Sequence, residues 1–214
     1  MTQPAPSGEP ETAAPVLALV DDDDDIRSSL SRALRLRGFE VETFASAAAF
    51  LGTDMPLRFD CLILDYGMPG MNGLELQREL NARGAAPPIV FITGHGGVPE
   101  SVQAMKGGAI DFLEKPFRQP VLIERIQAAC EIAAERRLRN AADRALAERF
   151  SRLTAREMEI VERMIESPSE SSSKEVGRHL GISPRTVDHH RARILEKLGV
   201  RSVAELIDLA RQRG

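Results

Sequence analysis

A chain of 214 residues is long enough for one large or two ordinary domains, each able to bury a core, and with no Trp and 4% aromatic residues that core must be mainly aliphatic. Two cysteines, Cys61 and Cys130, form neither a disulfide framework nor a metal-spaced pair, which fits reduced thiols in the cytoplasm. The net charge of −4 is uneven: residues 151–214 carry 12 Lys and Arg against 10 Asp and Glu, and residues 1–150 carry 16 against 22, so only the C-terminal part suits a nucleic acid.

The opening MTQPAPSGEPETAAP lacks a basic start and an apolar stretch, so it is not a signal peptide, and its composition predicts a disordered tail over 1–14. No apolar run approaches the roughly 20 residues that span a bilayer, and no membrane partner is expected. Strands are predicted near 16–20, 39–44, 60–64, 88–92 and 109–113, alternating with helical stretches. Ile26, Leu30 and Leu34 share one helical face, with Gly38 as a stop. Ser46 caps a short helix containing Phe50 and Leu51. A helix from about Gly73 to Arg83 turns Leu76 and Leu80 inward, and another spans about Pro99 to Lys106, closed by Gly107 and Gly108. This alternation predicts an α/β fold with a five-stranded parallel doubly wound sheet in the order 2-1-3-4-5.

Three apolar runs stop at polar residues: LALVDDDDDIR (17–27) at Asp21 and Asp22, CLILDYGMPGMNG (61–73) at Asp65, and FITGHG (91–96) at Thr93. In DFLEKPF (111–117), Lys115 follows the apolar Phe112 and Leu113. Parallel sheets bring the carboxyl ends of their strands to one edge, where open α/β sheets build ligand sites. Three carboxylates, a hydroxyl and an ammonium would meet there. Crowded carboxylates repel unless a cation joins them, and an oxygen-only set suits Mg2+. An isolated aspartate run is more often a solvated surface. The strand CLILD also fits an NTPase, but the accompanying G-x-x-x-x-G-K-[ST] loop is missing, and a haloacid-dehalogenase-type phosphatase would want an Asp where Gly67 stands. A non-enzymatic role is therefore expected.

These segments resemble the receiver domain of two-component response regulators, over roughly residues 14–138. Ile26 and Arg27 set the register, which puts Asp21 and Asp22 at the family's acidic pair and leaves Asp23, Asp24 and Asp25 to the loop and first helical turn. Asp65, with D-x-x-M-P-x-x-x-G intact through Gly73, takes the phospho-acceptor position; Thr93 and Lys115 match the hydroxyl and lysine, and Pro116 a proline commonly on a cis peptide bond. The resemblance implies phosphoryl transfer from a histidine kinase's phosphohistidine to Asp65. Asp22 and Asp65 would ligate Mg2+ directly, Asp21 through water, and Gly67 by its backbone carbonyl. Lys115 would pair with Asp65 and then with the phosphoryl group, while Thr93 bonds a phosphoryl oxygen and Phe112 rotates into the space vacated. His95 is read as loop structure.

From Pro120 the pattern is helical, with no Gly or Pro over the 30 residues 121–150. Leu122, Ile126, Ala129 and Ala133 form one apolar face. The domain reading is a receiver over 15–134, a helical linker over 135–150 and a third segment over 151–214. The linker is either a coiled-coil strand or a solvated helix without self-association. In the family, phosphorylated receivers pair through their fourth and fifth helices and fifth strand, here the surface near 99–106 and 121–130.

In the last segment Thr154 and Glu157 have capping-box spacing. A helix ending at Gly181 and another opening with Ser183 as cap and Pro184 at its first position predict a helix-turn-helix. S-P-R-T-V-x-x-H-R (183–191), supported by K-L-G-V-R-S (197–202), makes residues 153–209 resemble the LuxR-type DNA-binding domain of NarL/FixJ-type regulators. A recognition helix lays its first turns in the major groove, so Ser183, Arg185, Asp188, His189 and Arg193 are candidates to face double-stranded DNA. Arg185, Thr186, Arg191 and Lys174 suit phosphate contacts. Asp188 either accepts from cytosine N4 or only tunes approach. His190 is assigned to packing or a phosphate hydrogen bond, and His179 to the surface. The serine-rich ESPSESSSKE is longer than the family's usual turn, so no contact is carried over there. The expectation is a phosphorylation-dependent transcription regulator acting as a homodimer; the alternatives are a receiver-linked protein-binding module, a stand-alone phosphatase and a phosphorylation-independent regulator.

Overall fold

The computed structural model describes residues 13–53, 56–94 and 97–212. The tail expected over 1–14, as far as residue 12, and His95 lie outside the described residues. The chain divides into two compact units, Met1–Arg136 and Arg137–Gly214.

In the first unit, β1 (Val16–Val20), β2 (Glu40–Phe44), β3 (Cys61–Asp65), β4 (Ile89–Thr93) and β5 (Asp111–Glu114) form one parallel sheet in the order β2-β1-β3-β4-β5. The central strands β1, β3 and β4 are apolar almost throughout because both faces are covered. Ala18, Val20, Leu62, Leu64 and Phe91 pack on one face with residues of α2 (Ala47–Leu51), α3 (Gly73–Ala82) and α4 (Val98–Lys106). Leu17, Leu19, Ile63, Val90 and Ile92 pack on the other with α1 (Asp24–Arg35) and the start of α5 (Gln119–Ser151). Strands β3 and β4 each begin one residue later than their sequence pattern suggested and run on to include Asp65 and Thr93. Asp60, just before β3, pins the entry to β1 twice: its N–H donates to the Val16 carbonyl at 2.7 Å and its carboxylate accepts the Val16 N–H at 2.8 Å.

Helix starts follow their caps. Asp23 accepts from the N–H groups of Asp25 and Ile26, with Asp24 and Asp25 in the first turn, so the aspartate run is mostly a helix start. Asn72 and Glu75 close a capping box on α3. Gly73 follows because no larger residue fits: a Cβ there would lie 2.5 Å from the Asp65 carbonyl oxygen and 2.9 Å from the Phe91 ring.

Helix α5 is continuous over 33 residues. Leu122, Ile126, Ala129 and Ala133 are buried as their spacing predicted. Leu146 and Phe150, four residues apart, are buried with Ile160, Val161 and Met164 of the second unit. The last turns of the stretch read as a linker are therefore packed core. Around that core stand α6 (Ala155–Glu166), α7 (Ser173–Leu180), α8 (Pro184–Leu198) and α9 (Val203–Arg211). The turn between α7 and α8 is tight because Gly177 lets it approach; a Cβ on Gly177 would sit 2.7 Å from the Ile182 carbonyl oxygen. No helix among the described residues is long and apolar enough to cross a membrane.

Candidate functional site

The strand ends of the first unit deliver Asp21, Asp65 and Thr93 to one edge of the sheet, all buried, with Lys115 just beyond β5. Lys115 Nζ donates to Asp65 Oδ1 at 2.7 Å and to Asp21 Oδ2 at 2.8 Å, so side chains 50 and 94 residues away in sequence share one ammonium. The remaining oxygens are held by main chain: the Gly67 N–H donates to Asp65 Oδ2 at 2.6 Å and the Asp23 N–H to Asp21 Oδ1 at 2.9 Å. Thr93 is fixed through its backbone, whose carbonyl accepts the Lys115 N–H at 2.6 Å. The Lys115–Pro116 peptide is cis, as the resemblance implied. Phe112, half-buried on β5, lies with its ring centroid 5.9 Å from that of Phe91.

Burial pushes the Asp65 carboxyl above its ordinary range, with the Asp21 charge adding and Lys115 and the Gly67 N–H opposing. For Lys115, burial favours loss of the proton, yet the two carboxylates outweigh it and hold the ammonium above its usual range. Asp22 is exposed, and among the described residues no three His, Cys, Asp or Glu side chains are placed together to hold a metal. The expected side-chain set is thus assembled in part: Asp21 and Asp65 meet across Lys115, and Asp22 does not join them. In donor chemistry the residues still fit a hard divalent ion, since two buried carboxylates against one ammonium leave a net negative oxygen-only site. Glycine is not sterically required at position 67, since a Cβ there would make only an ordinary 3.5 Å contact with Asp65 Oδ2.

The second unit carries the other candidate surface. Ser183 caps α8 by accepting the Thr186 N–H at 3.1 Å, and its hydroxyl meets Thr186 Oγ1 at 2.7 Å. Lys174, Arg185, Thr186, Asp188, His189 and Arg193 are exposed, whereas Val187, Ile194 and Leu198 on the opposite side are buried. Arg191 is half-buried, with Nη1 donating to Ser173 Oγ at 2.8 Å and to the Ser171 carbonyl at 3.4 Å. His190 is half-buried with Nδ1 enclosed and without a hydrogen-bond partner among the described residues, which suits packing. His179 stands on the surface 3.7 Å from Glu170.

Several contacts here carried no sequence signal. Lys197 Nζ donates to the buried Glu157 carboxylate at 2.6 Å. Arg156 caps the end of α7 through the Leu180 carbonyl at 2.8 Å, and Arg149 donates to the Leu198 carbonyl at the end of α8. Ser173 Oγ bonds Asp188. Only the crossing of helices distant in sequence brings these groups together.

A doubly wound parallel sheet with an aspartate–lysine cluster at its carboxyl edge, followed by a capped helix-turn-helix with an exposed basic face, defines a receiver joined to a DNA-binding module. Residues 17–127 match the response regulator receiver domain and residues 151–210 the bacterial regulatory proteins of the luxR family. The transcriptional regulatory protein FixJ of Azorhizobium caulinodans is 41% identical over 192 residues, 90% of each chain. The response regulator protein TodT of Pseudomonas putida is 38% identical, across 91% of this chain and 84% of its own. Among solved structures, the response regulator StyR superposes with a TM-score of 0.81 at 44% identity, over 94% of this chain and all of that one. Full-length FixJ from B. japonicum gives 0.54 at 37% identity, over 95% and 98%. The chain belongs to the FixJ-type two-component response regulators, a family of transcriptional regulators and not of enzymes.

Proposed function

We propose that this regulator accepts a phosphoryl group on Asp65 from the phosphohistidine of a cognate histidine kinase, and that phosphorylation drives pairing on double-stranded DNA in the cytoplasm. The observation that carries the reading is the shared ammonium, with Lys115 Nζ within 2.8 Å of both Asp65 and Asp21 at the edge where three strands end.

In the transfer, an Asp65 oxygen bonds to phosphorus as the P–N bond breaks, and the imidazole leaves with the electron pair and takes up a proton. Such loose, in-line transfers need little covalent work and much positioning of charge. Mg2+ would be held by Asp65, the Gly67 carbonyl and, through water, Asp21, with the exposed Asp22 turning in as a further ligand on binding, and would supply cationic charge against that of the phosphoryl group. Lys115 orients the Asp65 carboxylate beforehand and pairs with the phosphoryl group afterwards.

The switch would run through Thr93, whose hydroxyl bonds the phosphoryl oxygen, and Phe112, which turns inward. Helix α4 supports pairing because Val98, Val102 and Met105, at helical spacing, are 77%, 44% and 47% exposed. Two output units joined this way would meet two half-sites, and the second contact would gain from the raised local concentration. Intact-mass spectrometry after acetyl phosphate and Mg2+ tests the chemistry: one added phosphoryl group is expected on the wild type and none on Asp65→Asn. Light scattering with beryllofluoride should show dimers only where Asp65 is intact. An unmodified wild type would end this reading.

A further inference from the structure

The serine-rich turn departs from the family pattern, and it ends in a contact on the recognition helix. Ser173, the first residue of α7, places its hydroxyl between Asp188 and Arg191 of α8. A carboxylate only accepts and a guanidinium only donates, so the hydroxyl must donate to Asp188 Oδ1 and accept from Arg191 Nη1 at 2.8 Å. Asp188 and Arg191 make no direct ion pair among the described residues, and Asp188 Oδ2 has no hydrogen-bond partner there. Ser171 adds its carbonyl to Arg191, so the turn engages the same two side chains twice.

Asp188 is the only acid in the first three turns of α8, beside the exposed Arg185, His189 and Arg193. A free carboxylate on that face would swing and oppose phosphate at every sequence alike. Tied at Oδ1 and bridged through the Ser173 hydroxyl to the Arg191 guanidinium, it is oriented and partly neutralised, and its second oxygen is available to a donor in the major groove. The base-edge donor that pairs with a single carboxylate is the cytosine N4 amino group. We propose that Ser173 is a positioning residue for sequence choice: it holds Asp188 so that this carboxylate reads a C·G pair in each half-site. The inference rests on α8 being the DNA-reading helix.

The test is selection from a random duplex library with the full chain, with and without acetyl phosphate, followed by titration of the selected site and its single-pair variants. The wild type is expected to select a C·G pair at one position of each half-site. Ser173→Ala should weaken that preference by about tenfold, leave other positions unchanged, and keep the salt dependence, since Arg191 retains its charge. Ser173→Thr should restore the preference. Asp188→Asn, which keeps the shape and does not rely on the Ser173 variant folding, should move the preference from C toward A, the base that pairs with a carboxamide. An unchanged preference in folded Ser173→Ala, or an Asp188→Asn variant that binds all sequences more tightly with no change of choice, would overturn the assignment. A wild type that enriches no sequence would overturn the DNA-reading role of α8 and this inference with it.

Discussion

Asp65 and Glu157 are buried carboxylates that each bond a lysine, and their environments shift them in opposite directions. Asp65 lies 2.7 Å from Lys115 Nζ, and burial raises its carboxyl above the ordinary range with Asp21 adding to the rise. Glu157 lies 2.6 Å from Lys197 Nζ; burial pushes it up as well, but Lys197 and the Thr154 backbone and side chain outweigh that and hold it below its ordinary value. The difference is in the sharing. Lys115 divides its ammonium between two acids, whereas Glu157 has a lysine to itself and closes the capping box of α6. One carboxylate is held at a cost in stability, and the other is a structural clasp between α6 and the end of α8.

Removing each lysine partner sharpens that contrast. Lys115→Ala leaves Asp21 and Asp65 buried without a cation, which should cost about 3 kcal/mol of receiver stability. Tyr66, the single tyrosine of a chain without tryptophan, reports receiver unfolding in urea. Added Mg2+ or acid should recover much of the loss, and a variant as stable as the wild type would show that the pair is already compensated. Glu157→Ala should cost the output unit about 2 kcal/mol, from the lost cap and the stranded lysine, read by amide hydrogen exchange in α6 and α8. In acid the deficit should shrink only because the wild type loses the contribution of its own ionised Glu157, not because the variant gains stability. Smaller again, Ser183→Ala removes the acceptor for the Thr186 N–H and should cost about 1 kcal/mol, seen as fraying of the first turn of α8 and weaker binding to all DNA sequences.

The same contrast explains what could be read from sequence. Strand order, helix starts and the identities of Asp21, Asp65, Thr93 and Lys115 were legible because each follows a local signal: an apolar run that stops, a capping residue, or a motif whose spacing the sheet converts to proximity. The Thr154–Glu157 box was legible for the same reason. Lys197 on Glu157, Arg156 on the end of α7 and Ser173 on Asp188 were not, since each joins different helices and depends on a crossing that no local pattern encodes. Leu146 and Phe150 were hidden differently. Two apolar residues in a charged, alanine-rich stretch look like a solvated helix until a second core is there to receive them.

The smallest effect is the most discriminating, because its sign differs between the two carboxylates. Glu157 is held below its ordinary value, 4.5, so its stabilising contribution is complete above that pH and is lost as pH falls through the folded value. Asp65 is held above its ordinary value, so its ionisation costs stability, and that cost appears as pH rises through the folded value. Asp65→Asn removes the cost while Lys115 keeps Asp21 as a partner. At neutral pH the variant should therefore melt slightly higher than the wild type, by Tyr66 fluorescence, with the gap closing in acid as the wild-type carboxyl takes its proton. Glu157→Gln should melt lower at neutral pH, and its gap should also close in acid, from the other side. If Asp65→Asn instead destabilised the receiver at neutral pH, the Asp65–Lys115 pair would be a clasp of the Glu157 kind, and the two carboxylates would differ in place but not in role.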